Sequence, residues 1–88
     1  MDPDRVLDTF MADGRLTAIP RKAGKRRVVL DHIAQQFEIG RHYAEAEVNG
    51  ILAAFHDDVA ALRRYLVDSE LLDRDAGEYW RAGGTVED

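Results

Sequence analysis

Apolar residues recur at helical spacing over four separate stretches of the chain and change rhythm near its end. Val6, Leu7, Phe10 and Met11 mark the first stretch, an amphipathic helix of about ten residues. Asp2 is suited to cap it and Pro3 to occupy its first position. Asp13-Gly14 is expected to end it, because glycine readily takes the left-handed position after a helix. Arg15 to Ile19, short, partly β-branched and stopped by Pro20, reads as a strand. Pro20 to Gly24 reads as a loop. A second helix is expected from Lys25 to Glu38, where Val29, Ile33 and Phe37 fall at i, i+4 and i+8 with Leu30 and Ala34 on the same face. The third, Glu45 to Phe55, carries Val48, Ile51, Leu52 and Phe55 at i, i+3, i+4 and i+7, and opens with Glu45 and Glu47, which suit the positive end of the helix dipole. His56-Asp57-Asp58 is a turn in which either aspartate can cap a fourth helix, Val59 to Ser69, burying Val59, Leu62 and Leu66. After Glu70, Leu71–Arg74, Asp75-Ala76-Gly77 and Glu78–Arg81 read as strand, turn and strand. Gly83 to Asp88 is polar and expected to fray.

Helix, tight turn, helix and hairpin follow one another from Tyr43 to Arg81, the order of a winged helix-turn-helix. The expected fold is α+β, mainly α with a small β-sheet: four helices plus a C-terminal β-hairpin wing, with Arg15–Ile19 pairing near the hairpin. Residues 1–82 are expected to form a single domain, with 83–88 as its tail.

Composition narrows the function classes. A chain of 88 residues has no room for a large substrate cavity. It contains no cysteine, which excludes a disulfide, a zinc-thiolate site or a thiol nucleophile. No apolar run approaches the ~18 residues of a membrane span, and the opening MDPDRVLDTF lacks the basic start of a signal peptide, so the expected location is cytoplasmic. The net charge of −5 is unevenly distributed. Residues 15–27 carry six bases (Arg15, Arg21, Lys22, Lys25, Arg26, Arg27) and no acid, whereas residues 45–88 carry eleven acids and four bases. A basic segment sits in an otherwise acidic chain.

A recognisable ordered set runs through the sequence: Phe10, Gly14, Ile19-Pro20, Lys25-Arg26-Arg27, Phe37, Tyr43, Glu45-x-Glu47-Val48-Asn49, Ile51-Leu52, His56-x-Asp58, Leu62-Arg63-Arg64, Leu66-Val67 and Leu72-x-Arg74. On these residues the chain resembles the Domain of Unknown Function 2087 family, a small bacterial domain found alone and appended to transcriptional regulators. The resemblance covers about Phe10 to Trp80. It implies a winged-helix-like fold and a link to transcription, with no established ligand, reaction or catalytic residue. Ala44 departs from the family pattern, which often has Ser or Thr there. A hydroxyl at that position would form a capping box with Glu47, so this helix start is weaker by roughly 1 kcal/mol.

Two sets of residues invite a binding role. Arg64 points outward from the fourth helix, the one that would enter the major groove of DNA. The segment Arg21, Lys22, Lys25, Arg26 and Arg27 lies in a loop running into a helix N-terminus, where free amides also favour phosphate. It also reads as a solvated loop that pairs with the acidic remainder. Arg63, at the border of the buried face, reads as a structural ion pair with Glu45, Glu47 or Asp58. Residues 57–81 carry seven acids against four arginines, a poor balance for meeting a polyanion. Duplex DNA, reached through the basic segment, is therefore one expected partner. A protein partner, or a second copy, on the acidic helix and wing is the other. His32, His42 and His56 show no H-x-x-x-H spacing, so no metal site is expected. No nucleophile elbow or phosphate-binding glycine loop is present; no enzyme, cofactor or small-molecule substrate is expected.

Overall fold

The computed structural model describes residues 2–86. Asp2 caps the first helix, α1 (Pro3–Phe10), its Oδ1 accepting the Asp4 amide at 3.0 Å. The helix stops at Phe10 and not at Asp13-Gly14. Met11–Ala12 (β1) and Arg15–Leu16 (β2) instead form a small antiparallel hairpin around that dipeptide. Asp13 at φ 53 and Gly14 at φ 79 both occupy the left-handed region. A two-residue loop with both φ positive matches the twist of its flanking strands, so Asp-Gly acts here as a hairpin turn and not as a helix stop. The expected strand from Arg15 to Ile19 shrinks to Arg15–Leu16, and it pairs with its immediate neighbour, away from the C-terminal hairpin. Leu16 is buried, and its amide donates to the Phe55 carbonyl at 2.8 Å.

The second helix, α2 (Ala23–Ala34), starts two residues before the expected Lys25 and ends before Glu38. Its buried side chains Val29, Leu30, Ile33 and Ala34, with Phe37 just beyond, form the middle of the core. His42–Ala44 is a strand, β3, that periodicity does not flag. Three residues with one buried side chain, Tyr43, are too few to set a rhythm. The helix α3 (Glu45–Ala53) follows directly, then the turn and α4 (Val59–Asp68). Asp58 caps α4 by accepting the Ala61 amide at 3.1 Å, while its own amide donates to His56 Nδ1 at 3.0 Å.

Two further strands, β4 (Leu72–Asp75) and β5 (Glu78–Arg81), turn through Ala76-Gly77 in the same positive-φ geometry as the first hairpin. They join β3 in an antiparallel sheet of order β3-β5-β4, with Tyr43 opposite Tyr79 and Arg74 opposite Tyr79 on the other side. The molecule is thus α+β: four helices and two small antiparallel sheets among the described residues. Tyr79, 2% exposed, completes the core from the central strand, and the adjacent Trp80 lies half-buried on the opposite face against the His42 ring. No described helix is long and apolar enough to cross a membrane. Past β5 the chain does not splay outward at once. Thr85 donates through its amide (2.7 Å) and hydroxyl (2.8 Å) to the Asp31 carboxylate of α2, and Arg81 donates to the Gly83 and Thr85 carbonyls. Of the tail expected to fray, Glu87 and Asp88 lie outside the described residues.

Candidate functional site

Three consecutive bases on a helix fan out by about 100° each, and α2 disperses its basic residues accordingly. Lys25 turns toward α1, bordering a shallow hollow with Arg5, Val6 and Thr9. Arg26 turns toward α4: its guanidinium lies 4.6 Å from the Tyr65 ring centroid and donates to the Arg21 carbonyl at 2.9 Å and the Pro20 carbonyl at 3.4 Å. Arg27 donates to the Ser69 carbonyl at the end of α4 at 2.8 Å. Arg26 and Arg27 therefore close the loop and dock α2 on α4. Arg21 and Lys22 are exposed, with no side-chain hydrogen bond or ion pair among the described residues, and Lys22 sits at the N-cap without capping it. The sequence segment is compact; its side chains are not one patch.

Arg63 is held within the helix pair. Its Nε lies 3.4 Å from Glu45 Oε1, and it donates to Asn49 of α3. Glu45 also accepts the Tyr79 hydroxyl at 2.9 Å, which ties α3, α4 and β5 together. The other two acids considered for Arg63 are placed elsewhere. Glu47 accepts from Arg41 and from the Ala44 amide, both at 3.2 Å, and Asp58 caps α4. The Glu47–Ala44 contact is half of a capping box; Ala44 has no oxygen to supply the other half.

Arg64 is exposed on α4 and shares a notch with a residue that sequence reading assigned no role. The notch, about 250 Å³, lies between α4 and the β4–β5 hairpin and is lined by Ala60, Arg63, Arg64, Val67, Asp68, Arg74 and Tyr79. Strand alternation brings Arg74 there: it lies two positions from the buried Leu72 and opposite Tyr79, so it shares their face of the sheet. Hydrogen bonding to Tyr79 raises the Arg74 pKa above the ordinary arginine value, and the nearby Glu45 and Asp68 charges add to this. On its other flank α4 borders a second hollow lined by Arg26, Arg27, Tyr65 and again Asp68. Arginines thus stand on both sides of the solvent-facing surface of α4, with Asp68 common to both hollows.

No curated protein and no solved structure matched this chain. A family model, described as an uncharacterized protein conserved in bacteria, matches residues 15–81, a span that takes in the loop, α2, the helix pair and the whole β3-β5-β4 sheet. The chain belongs to the DUF2087 family.

Proposed function

We propose that this domain is a non-enzymatic winged-helix module of bacterial transcription regulation that contacts nucleic acid. The order α2, β3, α3, α4, β4, β5 with sheet order β3-β5-β4 supports the winged-helix reading, in which α4 would be the recognition helix and the β4–β5 hairpin the wing. Fold alone is a weak warrant for function. The observation that carries the reading is the set of exposed bases around α4 without carbonyl or carboxylate partners among the described residues: Arg64 on the helix with Arg74 beside it, and Arg21 and Lys22 ahead of α2. Arg21, Lys22, Lys25 and Arg64 are the phosphate contacts in this reading. Arg26 and Arg27 hold that surface in shape.

Anisotropy titration with random duplex DNA at low and moderate salt tests the proposal. Binding should weaken steeply as salt rises, because affinity of this kind comes from displaced counterions. The triple variant R21E/K22E/K25E should weaken it by at least about tenfold and leave the fold intact, whereas reversing Arg26 or Arg27 would also break loop and helix contacts. Absence of binding at low salt would overturn the proposal. One observation favours a second reading: residues 57–81 carry seven acids and four arginines, and Asp75 and Glu78 are exposed at the wing. A basic protein partner, or a second copy, would engage that surface. A salt-dependent complex with a basic peptide by a chain that ignores DNA would establish it.

A further inference from the structure

Six of the ten arginines (Arg15, Arg26, Arg27, Arg41, Arg63 and Arg81) donate through their guanidinium groups to carbonyl, amide or carboxylate oxygens within the domain. Arg64 donates to none among the described residues, Arg74 has only the Tyr79 hydroxyl beside it, and both line the same notch. A guanidinium fork presents several N–H groups that match the oxygens of a phosphate or carboxylate. Two such forks line one notch, one from a helix and one from a strand, and they cannot saturate each other because both are cations.

The nearest carboxylates are already engaged or outnumbered. Glu45, outside the lining, faces Arg63 at 3.4 Å and accepts the Tyr79 hydroxyl at 2.9 Å, so its charge is set chiefly against Arg63. Asp68 is the one carboxylate among the lining residues, set against three arginines. The notch is therefore cationic at a place where the summed charge of the surrounding sequence is acidic, a difference that chain order conceals.

We infer that the notch between α4 and the β4–β5 hairpin is a seat for a single phosphate, held between Arg64 and Arg74 and supplied by the backbone of a nucleic acid. This deepens the proposed function and rests on it for the source of the phosphate, though not for the seat itself. A phosphodiester brings two unesterified oxygens, one for each guanidinium.

The test uses the full chain, labelled with ¹⁵N and titrated with inorganic phosphate and, separately, with random duplex DNA. Phosphate should shift the arginine side-chain signals of Arg64 and Arg74, together with amides of α4 and the hairpin. Arg64→Ala and Arg74→Ala should each weaken phosphate binding by roughly tenfold. Both residues are exposed, so the unchanged amide spectrum of each free variant verifies the fold. Arg74→Ala should also lower the slope of log affinity for DNA against log salt by about one. Phosphate shifts confined to Arg21 and Lys22, or no shifts with DNA still bound, would overturn the seat and leave the proposed function standing. Phosphate held in the notch by a chain that binds no DNA would establish the seat and overturn its nucleic-acid source.

Discussion

Glu70 is one of three non-glycine residues, with Asp13 and Ala76, that stand among the described residues where glycine fits best. It follows α4 at φ 62, in the left-handed region. Its amide donates to the Val67 carbonyl and the Leu71 amide to the Leu66 carbonyl, both at 3.0 Å. This pair of bonds is the Schellman ending, and the position Glu70 occupies in it ordinarily belongs to glycine. An L-residue there costs about 1–2 kcal/mol in local sterics, part of which glycine would return as chain entropy. Glu70→Gly should therefore stabilise the domain by about 0.5–1 kcal/mol, read as a raised thermal midpoint. Gly84 is the converse case. It sits at φ +96, and a Cβ built there would lie 2.6 Å from Asp31 Oδ1. Gly84→Ala should release Thr85 from Asp31 and expose the Thr85 amide to hydrogen exchange. Unchanged protection of that amide would contradict the arrangement.

Elements built on long apolar periods were legible in the sequence, and those built on short or special geometry were not. Val48, Ile51 and Leu52 gave α3, and Val29 and Ile33 gave α2, because a repeating face needs several turns to declare itself, although both helices end short of Phe55 and Phe37, at Ala53 and Ala34. β3 and the Met11–Leu16 hairpin are too short for that. Asp13-Gly14 carries the same letters whether it ends a helix or turns a hairpin, and only pairing decides. The candidate site was half legible for a related reason. Arg64 is visible as outward from its place on α4, whereas Arg74 acquires a role only when the β4–β5 register sets it beside α4. Likewise Lys25, Arg26 and Arg27 look like one patch in the sequence until helical rotation separates them. At the element scale the start of α3 is incomplete, because Ala44 leaves the capping box half made. Ala44→Ser should add about 0.5–2 kcal/mol to unfolding free energy in urea titration. No gain would mean that the β3–α3 junction holds its amides satisfied by other means.

For the molecule as a whole, the family span of 15–81 is less than the folded unit. The helix α1 lies before it and packs on α2, burying Val6 to 5% exposure with Leu7 and Phe10 partly covered. Removing residues 1–14 should cost at least ~3 kcal/mol from the lost apolar burial, measured as a fall in the urea midpoint. The sheet order β3-β5-β4 has one more consequence, for colloidal behaviour. It leaves β3 and β4 as open edges, each a template on which another chain can add a strand. β3 is only three residues long, too short to template much. β4 is longer, and it carries Asp73 and Asp75, both exposed, on the strand whose outer edge is unpaired. Like charges on that edge would repel a second copy of the strand. Asp73→Thr with Asp75→Thr should leave the monomer folded but make it self-associate with rising concentration, visible in sedimentation velocity as faster species absent from the parent chain.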